Sequence, residues 1–136
     1  MGVTITPLNM ISFLTNKKGI MTCTNIEQSN RLVELGISPN TADMGWFKAY
    51  SLREEIYKPY IKGYKLENHK TDIPAWSVYK LIKIISKEVT INDTSVIISN
   101  NSTNRMFSTN DNVYDNLIDA IQWLMEKNEI NEEFIS

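Results

Sequence analysis

The chain has a single cysteine, Cys23, and a single histidine, His69, and each scarcity closes off a class of chemistry. One thiol forms no internal disulfide and leaves a cysteine zinc cluster without ligands. One imidazole denies a histidine metal site its second ligand and gives a Ser-His-Asp set a single choice of base. The five glycines, at positions 2, 19, 36, 45 and 63, stand apart from one another, so no glycine-rich loop exists to cradle phosphates. No apolar run approaches the roughly 20 residues that span a bilayer. The short run Ile11 to Leu14 has no Lys or Arg before it, where a secretory signal carries its positive charge. A reducing, cytoplasmic setting is therefore expected.

What remains is an ordinary globular composition. With 136 residues, 42% hydrophobic and 22% charged, the chain is expected to fold as one domain. A net charge of −2 argues against a general DNA-coating protein, whose affinity comes from many basic side chains. Residues 1–20 hold no sustained period and are expected to be an N-terminal arm or an edge strand. Lys17-Lys18-Gly19-Ile20 ahead of Met21 reads as the translation of a purine-rich stretch resembling a ribosome-binding site, which would make Met21 the natural start and place residues 1–20 outside the natural protein. Residues 21–136 are then a single α+β domain.

Within it, Thr24 and Glu27 stand at the capping-box spacing, an apolar stripe of Ile26, Leu32, Val33 and Leu35 follows, and Gly36 closes a first helix. Ser38-Pro39 predicts a second, short helix through Met44. Asp72-Ile73-Pro74 is expected to open the next, whose Val78, Leu81, Ile82 and Ile85 fall on one face while Lys80, Lys83 and Lys87 stay wet. From Glu88 the period changes to two. Val89 and Ile91, Val96 and Ile98, then Met106 and Phe107 predict three strands joined at Asn92-Asp93-Thr94 and Asn100 to Thr103. Ser108 to Asp111 is expected to cap a last helix with core stripe Val113, Leu117, Ile118, Ala120, Ile121, Leu124 and Met125. The predicted architecture is α+β, with helices packed on one face of a small antiparallel β-meander.

The stretch from Trp46 to Lys70 is the most unusual. It gathers Trp46, Phe47, Tyr50, Tyr57, Tyr60 and Tyr64 with Lys48, Arg53, Lys58, Lys62, Lys65 and Lys70, against only Glu54, Glu55 and Glu67. Ser51 and Glu54 predict one helical turn, after which Pro59 and Gly63 force extended chain. Rings beside cations suit stacked anionic partners and protein interfaces alike. Trp46, after Gly45, is the expected exposed anchor. The expected binding residues are Trp46, Lys48, Tyr57, Lys58, Tyr60, Lys62, Tyr64 and Lys65. The leading reading takes a protein partner. The alternative is a nucleotide or single-stranded nucleic acid, with Trp46, Tyr57, Tyr60 and Tyr64 stacking bases and Lys58, Lys62 and Lys65 meeting phosphates. A third arrangement pairs the segment as strands whose tyrosines cover core while the lysines snorkel.

Elsewhere the chemistry is sparse. His69 lies in a polar loop sequence, and Cys23 reads as a small buried hydrophobe. Asp111, Asp115 and Asp119 recur every fourth residue; acids early in a helix are favoured by its dipole, which is preferred here to a cation site. Trp76 and Trp123 read as core or core-edge residues. No catalytic residue, metal or cofactor is expected. The acidic C-terminal end could meet the basic segment within one chain or across a homodimer.

Taken together, Leu35-Gly36, Thr41-Ala42-Asp43-Met44, Asp72-Ile73-Pro74-Ala75-Trp76-Ser77 and Asp119-Ala120-Ile121-Gln122-Trp123-Leu124-Met125-Glu126 resemble a group of short proteins carried by prophages and mobile elements of gut Bacteroidetes. The resemblance covers Met21 to Asn128. Members of that group begin near the position of Met21, so residues 1–20 depart from the pattern. It implies a genetic setting, a cytoplasmic accessory protein of a phage or mobile element, and carries over no activity and no site residue.

Overall fold

The computed structural model describes residues 3–5, 23–50, 55–61, 73–100 and 103–136. In chain order they form β1 (Val3–Ile5), α1 (Ile26–Leu35), a 3-10 turn (Pro39–Thr41), β2 (Met44–Tyr50), β3 (Glu55–Ile61) and β4 (Ile73–Ala75). There follow α2 (Val78–Ile85), β5 (Glu88–Asn92), β6 (Ser95–Asn100), β7 (Thr103–Phe107), α3 (Val113–Glu126) and a last 3-10 turn (Glu132–Phe134). The fold is α+β, as the change of period along the sequence predicts.

The strands make two antiparallel sheets, one ordered β1-β5-β6-β7 and the other β3-β2-β4. In the first, the predicted meander forms, and β5 and β6 alternate as a half-buried sheet must, whereas β7 is exposed from Thr103 to Met106 and buries Phe107 alone. Val89, Ile91, Val96, Ile98 and Phe107 turn inward, while Glu88 and Asn92 face water. Helix α3 lies on that inward face and packs against both α1 and α2. The core runs through Leu32, Trp76, Leu81, Ile85, Ile98, Leu117, Ile121 and Leu124, all fully buried. Of the predicted α3 stripe, Val113 and Met125 lie at its edge, half-buried. Gly36 takes the left-handed conformation that ends α1, at φ 105°. The chain end returns beside it, where Ser136 N–H donates to the Gly36 carbonyl at 2.9 Å.

Several expectations shift. The box that opens α1 is one residue later than predicted: Asn25 accepts from Gln28 N–H and Gln28 Oε1 accepts from Asn25 N–H. Ser38-Pro39 starts a single 3-10 turn, and Met44 already belongs to a strand. Ile73-Pro74-Ala75 pairs with β2, so the helix expected from Asp72 begins instead at Val78, capped by Ser77. The last helix is capped by Asn112. Trp46 to Ile61 contributes two paired strands; the predicted turn at Ser51 to Glu54 lies outside the described residues.

Because Ile121 is wholly enclosed beneath the meander, Ile121→Ala should destabilise the protein by about 2 to 5 kcal/mol in urea unfolding. A loss within experimental error of zero would mean the stripe does not form the core.

Candidate functional site

The aromatic-basic segment is anchored from outside itself, by Thr24. That residue is fully buried, and its N–H donates to the Trp76 carbonyl at 2.9 Å while its Oγ1 accepts from Trp76 N–H at 3.0 Å. Its hydroxyl also meets Ser29 Oγ at 2.8 Å, and its carbonyl accepts from the indole Nε1 of Trp46 at 2.8 Å. Trp46 is thereby held inside, 8% exposed, packed with Cys23, Met44 and Ala75 in a small second core edged by Ile26 and Ile73. The expectation of an exposed Trp46 anchor is corrected: a buried indole N–H needs an acceptor, and the Thr24 carbonyl supplies it.

Tyr60 is also inside, at 7% exposure. It sits opposite Gly45 in the β2–β3 register, and a Cβ on Gly45 would come within 2.8 Å of its ring. The glycine is what lets the ring lie flat across the strand. Phe47 completes the contact edge-on, with centroids 5.8 Å apart. Lys48 is half-buried. Tyr57, Lys58, Pro59 and Ile61 are exposed, so β3 shows Tyr57, Pro59 and Ile61 along one face and Lys58 on the other. Of the eight expected binding residues, the fold thus exposes Tyr57 and Lys58, on opposite faces of β3; Lys62, Tyr64 and Lys65 lie outside the described residues, as does His69.

Beneath the second sheet lies a compact polar cluster. Asp43 accepts from both the N–H and the hydroxyl of Ser77, and Ser77 Oγ in turn accepts from Lys80 N–H at 3.1 Å, so the carboxylate fixes the first turn of α2. Ser77 is engaged as a cap. The Cys23 thiol is pushed up to about 11 by burial and then by the Asp43 carboxylate. Burial, followed by the charges of Cys23 and Asp43, also holds the Tyr114 phenol well above its ordinary range. At neutral pH the thiol is protonated and sealed, a poor nucleophile.

The aspartates of α3 are occupied by α1. Asp115 accepts from Gln28 Nε2 at 3.1 Å, and Asp119 accepts from Arg31 at 2.6 Å. Among the described residues no group of three His, Cys, Asp or Glu side chains is placed to hold a metal. No described helix is long and apolar enough to cross a membrane.

Sequence reasoning missed one constellation altogether. Arg105 on β7 and Lys127 after α3 both stand over the ring of half-buried Trp123, at 5.0 Å and 4.3 Å. The spacing Trp123 to Lys127 on a helix was a readable signal; the arrival of Arg105 depends on how β7 meets α3. No protein-family profile, curated protein or solved structure matches the chain.

Two outcomes test this geometry. Thr24→Val leaves Trp76 N–H and the Ser29 hydroxyl without their buried partner and should cost about 2 to 5 kcal/mol in urea unfolding, whereas Thr24→Ser should cost about 1 kcal/mol, the worth of one buried methyl. The second concerns pH. A thiol whose pKa is raised on folding contributes stability that is complete below about pH 9 and is lost as pH rises through about 11. Stability measured between pH 8 and 11 should therefore fall more steeply in the wild type than in Cys23→Ala; parallel curves would show that the thiol titrates alike folded and unfolded.

Proposed function

We propose that the protein is a non-catalytic cytoplasmic accessory protein, of the phage or mobile-element setting implied by its resemblance, that binds a protein partner through strand β3. The observation that carries this reading is the exposed row Tyr57, Pro59 and Ile61 at the outer strand of the β3-β2-β4 sheet, with Ile61 55% exposed and half-buried Lys48 opposite Tyr57 on the same face. Aromatic and aliphatic anchors flanked by a cation have the composition of an interface core with a polar rim.

A protein partner is favoured over a stacked base for a specific reason. Two of the four rings expected to stack, Trp46 and Tyr60, are buried, and the indole N–H of Trp46 is already bound to Thr24. Of Trp46, Phe47, Tyr57 and Tyr60, Tyr57 alone is exposed, at 38%. Stacking along a strand needs several such faces in succession.

Exposed side chains of this kind are replaceable at little cost in stability, within about 0.5 kcal/mol. The double variant Tyr57→Ser, Ile61→Asp should keep the wild-type melting temperature while weakening capture of the partner from native-host extract by tenfold or more. Recovery of the same protein by wild type and variant alike would remove β3 as the docking strand.

A further inference from the structure

The corner where β7 meets the end of α3 sets two cations, Arg105 and Lys127, over a shared aromatic ring. Arg105 lies over the rings of Phe107 and Trp123, at 5.4 Å and 5.0 Å, and those two rings are themselves 5.8 Å apart. Lys127 is 4.3 Å from the centre of the same Trp123 ring. Sharing one ring, the two charges are no more than about 9 Å apart, inside the ~10 Å screening length of 0.1 M salt, and so they act on one ligand together.

Attraction to the ring faces holds the cations there but uses none of their hydrogen-bond donors. Among the described residues neither cation has an ion pair, and the Trp123 indole N–H has no acceptor. The adjacent acids form no ion pair with them: Glu126 accepts from Gln122, and Glu129 accepts from Asn100 through one oxygen while its other is buried without a partner among the described residues. Arg105 and Lys127 are both exposed. A planar guanidinium fork takes two oxygens of one phosphoryl group, and a compact ammonium takes another oxygen as a point charge. The indole is flanked by these cations, which favours an oxyanion over a base laid on the ring.

We infer that Arg105, Trp123 and Lys127 form a binding site for a phosphate-bearing small molecule, with a diphosphate bridging the two cations. The site is separate from β3 and does not depend on the docking reading. Its reporter is built in, because Trp46 and Trp76 are buried and Trp123 is the accessible indole.

The test is to titrate the intact protein with inorganic pyrophosphate at low salt and follow tryptophan emission. A saturable change is expected, weakened roughly tenfold or more in Arg105→Gln and in Lys127→Gln, with unchanged circular dichroism and unfolding midpoints. Lys83→Gln, which removes another exposed ammonium resting on a ring, should bind as wild type. No saturable change with pyrophosphate, or equal binding by the Arg105 and Lys127 variants, would overturn the site. So would an equal loss in Lys83→Gln, which would reduce the effect to general charge attraction. If ADP and pyrophosphate bind alike while adenosine does not, the phosphates are the ligand. A response to oligothymidylate with none to pyrophosphate would overturn the small-molecule assignment in favour of a nucleic-acid backbone.

Discussion

The second sheet exists in its observed form because of Thr24. Its four hydrogen bonds reach Ser29 in α1, Trp46 in β2 and both backbone groups of Trp76, which lies between β4 and α2. In a fully buried position each of those partners would otherwise be an unsatisfied polar group, and losing one costs more than an average hydrogen bond contributes. Trp46 is drawn inward by this junction, and Met44, two residues earlier on the same face, goes with it. The consequence for the surface is geometric. Residues directly opposite in an antiparallel pair share a face, so Ile61, Pro59 and Tyr57 stand beside Met44, Trp46 and Lys48. The small core beneath that face is edged by Ile26 and Ile73, and Tyr57, Pro59 and Ile61 on β3 remain exposed beyond it. The exposed row on β3 is thus the outward continuation of the buried row on β2.

This explains which parts were legible beforehand. The stripes of α2 and α3 and the alternation of β5 and β6 depend on periods local to each element, and the periods select most of their buried residues; Ile84, Tyr114 and Asn116 are buried besides, and Met106 on β7 is exposed. Capping was harder, since Thr24-Asn25 and the run Ser108 to Asn112 each offer several side chains able to cap. Tertiary contacts choose among them: Thr24 is consumed by Trp76, while Asn110 is held by Asn116 and Asp119, leaving Asn25 and Asn112 as the caps. The inward turn of Trp46 was illegible for a similar reason, because its acceptor lies 22 residues away. Ile73-Pro74-Ala75 looks like a helix start by its proline; pairing with β2 makes it an edge strand, where a missing N–H is tolerated.

Charge is sorted along α3 in a way that its sequence only half discloses. Asp115, in the first turn at the positive end of the helix dipole, and Asp119, one turn further on, are spent on Gln28 and Arg31 and so clamp α1 to α3. Gln28 also donates to Asn112, so the two helix caps are tied together. The Arg31–Asp119 pair is partly exposed and is worth little by itself; its value is positional. At the opposite end Lys127 meets the negative pole of the dipole and the face of Trp123, which gives it two reasons to remain there without a carboxylate.

Two of the outer strands, β3 and β7, face the same hazard, a row of unpaired backbone groups open to another chain, and they meet it differently. On β3, Pro59 removes one donor in the middle of the strand. On β7, Arg105 lies opposite inward-facing Ile98 and directs a charge toward the core side, where Phe107 and Trp123 receive it. Both devices discourage pairing by strand addition, so a partner at β3 has to be recognised through Tyr57, Pro59 and Ile61 and not through the backbone. At β7 the same reasoning runs the other way. Guarding an edge requires only that the guanidinium be charged and near the rings; it consumes none of the five N–H donors. A residue placed for one purpose thereby keeps its full capacity for another, and Lys127, over the same indole, supplies the second charge that an edge guard alone would not need.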